Sequence, residues 1–113
     1  MEHSSWVQIS FEAGHHLIPC GAHVTEHGHR YLIRSFLSGK YDPIRPPRLS
    51  ELREDMAAVR AELDGTIIDD MLQGASTTPG GIAAWLLERL VLCAAVEVRQ
   101  DEFSSVTVQR KEQ

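Results

Sequence analysis

Apolar and polar residues alternate from Trp6 to Phe11, with Val7, Ile9 and Phe11 on one side. A period of two marks a strand with one face buried. The stretch 12–28 interrupts it with Gly14, Pro19, Gly21 and Gly28, and five of the six histidines lie between His15 and His29. A second strand is predicted from His29 to Leu37, through Tyr31, Leu32, Ile33 and Phe36, so that the two make a wide hairpin. SGKYDP at 38–43 reads as a turn, and the prolines of PIRPPR at 43–48 remove donors and fix φ, which excludes a regular element there. Ser50 then stands as a predicted N-cap before Leu52, Met56, Val59 and Leu63, whose spacing lays one apolar stripe along a helix.

A linker with Gly65 and Gly74 follows, carrying Ile67 and Ile68 and then the acidic pair Asp69 and Asp70, which reads as a solvated turn. Thr78 and Pro79 open a second helix as cap and first helical residue, with Ile82, Trp85, Leu86 and Leu90 on its apolar side. Tyr31 and Trp85 read as core aromatics between sheet and helices. Residues 95–99 and 106–108 predict a closing hairpin around DEFSS, and the tail QRKEQ at 109–113 predicts disorder. The order strand, strand, helix, helix, strand, strand does not alternate singly. It favours an α+β fold, a four-stranded antiparallel sheet with two helices on one face, as one domain over 1–113.

The chain has 113 residues, 42% apolar and 24% charged, the composition of an ordinary globular protein. Eleven Lys and Arg against sixteen Asp and Glu leave a net charge of −5, which opposes a nucleic-acid-binding role. No apolar run approaches the roughly 20 residues that span a bilayer, so no membrane partner is expected. MEHSSWVQ has neither a basic start nor an apolar core segment, and two cysteines, Cys20 and Cys93, are too few for a disulfide scaffold. A reduced, cytoplasmic setting is the expectation.

Candidate chemistry concentrates in the histidines. His27, Gly28 and His29 form an H-x-H, and His15 and His16 end the first strand. Strand residues i and i+2 project from one face, roughly 6.5 Å apart. Two such imidazoles can converge on a cation, and a third from the neighbouring strand completes a His₃ set with Zn–N distances of about 2.0–2.1 Å. Such a set leaves a fourth position open, as catalytic zinc requires. Solvent-exposed or core histidines remain the alternative reading of the same residues.

Phe11-Glu12-Ala13-Gly14-His15, followed after a loop by His27-Gly28-His29-Arg30-Tyr31, resembles the F-x-A-x-H and H-G-H-x-Y pattern of the 6-pyruvoyl-tetrahydropterin synthase and 6-carboxytetrahydropterin synthase family. Leu63-Asp64 is similar to the start of the family's L-D-H element. Thr78, Ala83 and Trp85 fit its T-x-E-x-x-A-x-W helix, and Val96-Glu97-Val98 its late strand. The resemblance implies a tunnelling fold whose subunits join their sheets into a barrel, as trimers stacked into hexamers. It implies one zinc per subunit held by His15, His27 and His29, sites between subunits, and a pterin- or purine-like small molecule as substrate.

The family's chemistry also uses a cysteine base, an Asp-His pair and acidic substrate anchors. Cys20 lies seven residues before His27, farther than the family's cysteine, and His23 stands at the shorter spacing. Both are candidate catalytic residues, with a small buried thiol as the other reading of Cys20. Asp64 keeps the aspartate of the pair, or serves as a turn residue, while Gly65 replaces the histidine. Gly80 replaces the helix glutamate, and Gln100 falls where the family carries its substrate-anchoring glutamate. An amide does not present the two acceptors that a 2-amino-pyrimidinone edge needs. His23, Glu26 and His16 are available as replacement acid–base groups.

These observations predict a zinc-dependent lyase, cyclase or isomerase with an altered substrate site, Gln100 included, acting as a homo-oligomer. The alternatives are a non-catalytic ligand-binding or assembly protein on the same fold, and an active pterin synthase.

Overall fold

The computed structural model describes the backbone of residues 1–17 and 25–111 and the side chains of residues 1–14 and 29–111. The alternation that opens the sequence runs well past Phe11. β1 spans Glu2–Leu17 and β2 spans Thr25–Lys40, sixteen residues each, paired antiparallel from Glu2 with Lys40 to Leu17 with Thr25. Both arms are longer than predicted at both ends. Gly14 and Gly28, expected to break the strands, face each other in register, and three residues of the expected 38–43 turn, Ser38 to Lys40, are strand. Polar residues such as Ser5 and Ser38 hide the period in the sequence, whereas the backbone ladder does not depend on them.

The parity of the strands decides which face is buried. Val7, Phe11 and Ala13 of β1 and Tyr31, Ile33, Ser35 and Leu37 of β2 are all buried, and the residues of the other parity between them are not. β3 (Ala95–Arg99) pairs with β2, and β4 (Val106–Gln109) pairs with β3, giving a four-stranded antiparallel sheet in the order β1-β2-β3-β4. Val96 and Val98 continue the buried face.

Helices cover that face. α1 (Leu49–Leu63) packs on β1 through Leu52, Met56, Val59 and Leu63, the predicted stripe. Its cap is a correction: the helix starts one residue before Ser50, and Arg48 stands at the N-cap without a side-chain bond. The Leu49 amide donates to the Pro47 carbonyl at 2.8 Å instead, a tight turn that the prolines impose. In the expected linker, Ile68–Met71 forms a single-turn helix, α2, because buried Ile68 and Leu72 anchor it. α3 (Pro79–Arg89) begins as predicted, with the Thr78 hydroxyl accepting from the Gly81 amide at 3.2 Å. Gly81 is required there, because a Cβ would lie 2.2 Å from the Ser76 carbonyl oxygen. Ile82, Leu86 and Leu90 are buried against β3 and β4, and Trp85 is half-buried under the Arg89 guanidinium.

The predicted disordered tail is also corrected at its start. Gln109 belongs to β4, and the Arg110 amide donates to the Ala94 carbonyl at 2.9 Å. The Arg110 guanidinium donates to the carbonyls of Cys93 at 2.7 Å and Leu90 at 3.1 Å, and also to that of Leu87. These include acceptors that the end of α3 leaves without a helical partner.

The opposite face of the sheet is mainly polar, with Trp6, Leu32 and Phe36 among its residues, and no described helix packs on it. Arg34 lies 4.5 Å over the Trp6 ring and donates to Gln8 at 2.8 Å, while Arg30 pairs with Glu12 and Arg99 with Glu97. No described helix is long and apolar enough to cross a membrane.

Candidate functional site at the far end of the hairpin

Strand register brings the histidine positions together. His15 is the backbone partner of His27, and His29 pairs with Ala13 two positions along. All three positions share the parity of Phe11 and Tyr31, and His16, paired with Glu26, has the other parity. The side chains of His15, His16, Glu26 and His27, and the whole of Cys20 and His23, lie outside the described residues. Among the described residues no set of three or more His, Cys, Asp and Glu side chains is placed to hold a metal.

The segment after α1 closes the outer edge of β1 beside these positions. The Glu12 amide donates to Asp64 Oδ1 at 2.9 Å, and the Glu12 carbonyl accepts from the Gly65 amide at 2.7 Å. The Gly14 amide donates to the Thr66 carbonyl at 2.7 Å, and Arg60 reaches the Ser10 carbonyl at 2.9 Å. Gly65 has φ of +75° with no atom within 4 Å of a Cβ placed there, so conformation rather than crowding favours glycine. Gly14 admits a close neighbour: a Cβ there would lie 2.5 Å from Ile67 Cδ1. Asp64 therefore has a structural duty at an edge amide, and its carboxylate also lies 3.9 Å from Arg60.

Beneath the hairpin end sits Tyr31, fully buried. Its ring stacks on Phe11 at 5.3 Å between centroids and meets the His29 imidazole edge-on at 5.9 Å. Its hydroxyl is buried without a hydrogen-bond partner. The Gln100 amide at the end of β3 lies close enough to influence it without satisfying it, and the Asp69 carboxylate lies within electrostatic reach. Burial, aided by Asp69 and opposed by Gln100, pushes the phenol up to about 12. Asp69 Oδ2 accepts from the Thr77 hydroxyl at 3.1 Å, which ties α2 to the start of α3.

Of the residues expected at the site, His29 and Gln100 thus gather around Tyr31. Asp64 stands apart on the outer edge of β1. Tyr31 is core as the sequence predicts, but its unpartnered hydroxyl is not legible there. Asp69 departs from the solvated turn predicted for it. Asp69 is half-buried on a helical turn instead, because Ile68 beside it is drawn into the core. The tyrosine after H-x-H was the one visible signal.

The fold and the hairpin-end cluster define a class: a four-stranded antiparallel sheet, helices on one face, and histidine positions converging at one end of its long hairpin. Residues 5–113 match the family model for 6-pyruvoyl tetrahydropterin synthase, and the chain belongs to that family. No curated protein matches the sequence. Among solved structures, the chain is similar to 6-pyruvoyl tetrahydropterin synthase of Caenorhabditis elegans, with a TM-score of 0.82 and 18% identity over 98% of this chain and 97% of that one. The enzyme of the same name from Plasmodium vivax aligns with a TM-score of 0.77 and 18% identity over 99% of both chains. An uncharacterized protein from Wolinella succinogenes aligns with a TM-score of 0.75 and 13% identity over 98% of this chain and 99% of that one. At these identities the structural matches speak for the fold.

Proposed function

We propose that this chain is a metal-dependent lyase, cyclase or isomerase acting on a small molecule, with a substrate site altered from that of the pterin synthases. Members of its family are zinc-dependent lyases. The observation that carries the reading is the register: His15 opposite His27, with His29 two positions on at the same parity. That donor set fits zinc, since three neutral imidazoles leave a position for a ligand. His15, His27 and His29 would hold the ion. When bound, zinc supplies Lewis acidity that polarises a carbonyl or hydroxyl oxygen and acidifies its neighbour.

The remaining roles belong to this chain's own groups. Cys20 or His23, in the sequence between β1 and β2, takes and returns the proton. Gln100 binds the ligand edge with an amide, which offers one acceptor in place of the two of a carboxylate. Asp64 orients the hairpin end through the Glu12 amide. Metal analysis tests the reading. One zinc per chain, lost in His27→Ala with the fold retained, is expected; a fully folded wild type that takes up no metal refutes it.

A second reading, a non-catalytic ligand-binding or assembly protein, draws on Asp64 being bonded to a backbone amide and on Gly65 having no group to relay a proton. Turnover of 7,8-dihydroneopterin triphosphate would instead mark an ordinary pterin synthase. The proposed assembly is a closed homo-oligomer, a trimer or hexamer. The Asp64–Ile67 segment and Arg60 cover β1 from Ser10 to Gly14, but the outward main-chain groups of Ser4, Trp6 and Gln8 lie on the same edge beyond them. Trp6 is 49% exposed on β1 and Val106 is 40% exposed on the other edge strand. Pairing these edges between subunits would satisfy them.

A further inference from the structure

We infer that the Tyr31 hydroxyl is a ligand-binding donor, giving a hydrogen bond to a carbonyl or hydroxyl oxygen of a small molecule held beside His29. The inference rests on the reading of this end of the hairpin as a small-molecule site and adds a residue to it.

The argument starts from what the hydroxyl does not do for the fold. Tyr31 is fully buried, yet its oxygen has no hydrogen-bond partner. A buried polar group left unpaired opposes folding, and an orphaned one in a native structure points to a missing water, ion or ligand. The ring's own contacts, stacking on Phe11 and the edge contact with His29, are ones a phenylalanine would make equally well. A purely structural position would therefore be better served without the oxygen.

The surroundings indicate the kind of partner. Groups from three separate elements lie around the phenol: the His29 imidazole of the same strand meets its ring edge-on, and the Asp69 carboxylate of α2 and the Gln100 amide at the end of β3 act on it electrostatically. Asp69 is engaged by Thr77, and Gln100 lies near without completing a bond, so neither satisfies the phenol. A phenol is a neutral donor at neutral pH. Beside it, the Gln100 amide offers an acceptor and further donors. The arrangement suits an uncharged polar ligand that presents an oxygen acceptor to Tyr31 and its adjacent polar edge to Gln100. A dianionic group would meet the Asp69 carboxylate.

Tyr31→Phe in the full-length chain tests this with two readouts. Thermal unfolding without added ligand should show a midpoint equal to or above that of wild type, since an orphaned hydroxyl is removed. A midpoint several degrees lower overturns the proposal, because the oxygen then serves the fold. Calorimetry with acetohydroxamate, a small oxygen ligand, on the zinc-loaded chain should show binding weakened about five- to tenfold in the variant, with zinc content unchanged. Equal affinity in the two proteins overturns the proposal, as does a zinc-loaded wild type that does not bind acetohydroxamate. A wild type that takes up no zinc counts against the metal reading alone, and the thermal comparison still decides whether Tyr31 serves the fold.

Discussion

Arg110→Ala should destabilise the chain far more than a change just past the last strand ordinarily does. The side chain crosses from the end of β4 to the C-terminal turn of α3 and donates to the carbonyls of Cys93, Leu90 and Leu87. Hydrogen bonds from a charged donor contribute about 1.5–3 kcal/mol each when buried, and these are partly solvated, so about 0.7 kcal/mol each is a reasonable discount. A cation at a helix C-terminus adds about 0.3–1 kcal/mol through the dipole. The sum is about 2–3 kcal/mol. For a chain of this size each kcal/mol moves the melting temperature by about 4 °C, so a fall of about 8–12 °C is expected. Arg110→Lys keeps the charge but loses the planar fork, and should recover only part of the loss. The assay is thermal and urea unfolding of the three proteins at one fixed chain concentration, because assembly contributes to apparent stability. A loss below about 0.5 kcal/mol in Arg110→Ala, the range of ordinary surface substitutions, would refute the reasoning.

At Asp64 the distinction is between acceptor and charge: Asp64→Asn keeps an oxygen for the Glu12 amide and should cost under about 0.3 kcal/mol, whereas Asp64→Ala leaves that exposed amide to water and should cost about 0.5–1 kcal/mol by urea unfolding. Equal losses in the two variants would show that the pairing with Arg60, not the amide bond, is what matters. Light scattering at micromolar concentration should report a closed oligomer of three or six chains. A stable species at the 12.6 kDa chain mass excludes the barrel and any site shared between subunits.

Periodicity revealed those parts of the fold where one residue type repeats on one face. The stripe Leu52, Met56, Val59 and Leu63 is the buried face of α1 residue for residue, and the cap at Thr78 was legible because the side chain itself makes the bond. Ser50 was misleading for the opposite reason. The Arg48–Leu49 turn is held by a main-chain bond to Pro47, and main-chain bonds leave no mark on residue type. The same holds for the hairpin arms, whose outer thirds are carried by the ladder through Ser, Gly and His residues that have no strand preference. Arg110 escaped notice because a long-range contact to three carbonyls has no local signature.

Gly65 shows how such tertiary bonds bear on the candidate site. From the sequence alone, glycine after Asp64 reads as the loss of a proton-relaying side chain. In the fold it takes φ of +75°, and that turn lets the chain run along the edge of β1, where Glu12 and Gly14 are bonded in succession by Asp64, Gly65 and Thr66. Two residues beyond Thr66 the same segment becomes α2, which carries Asp69 to within reach of Tyr31. A side chain bearing a Cβ at position 65 would favour negative φ and work against the turn that aligns all of these. The glycine that stands where a proton-relaying side chain would be thus helps to carry Asp69 to the core side of the hairpin.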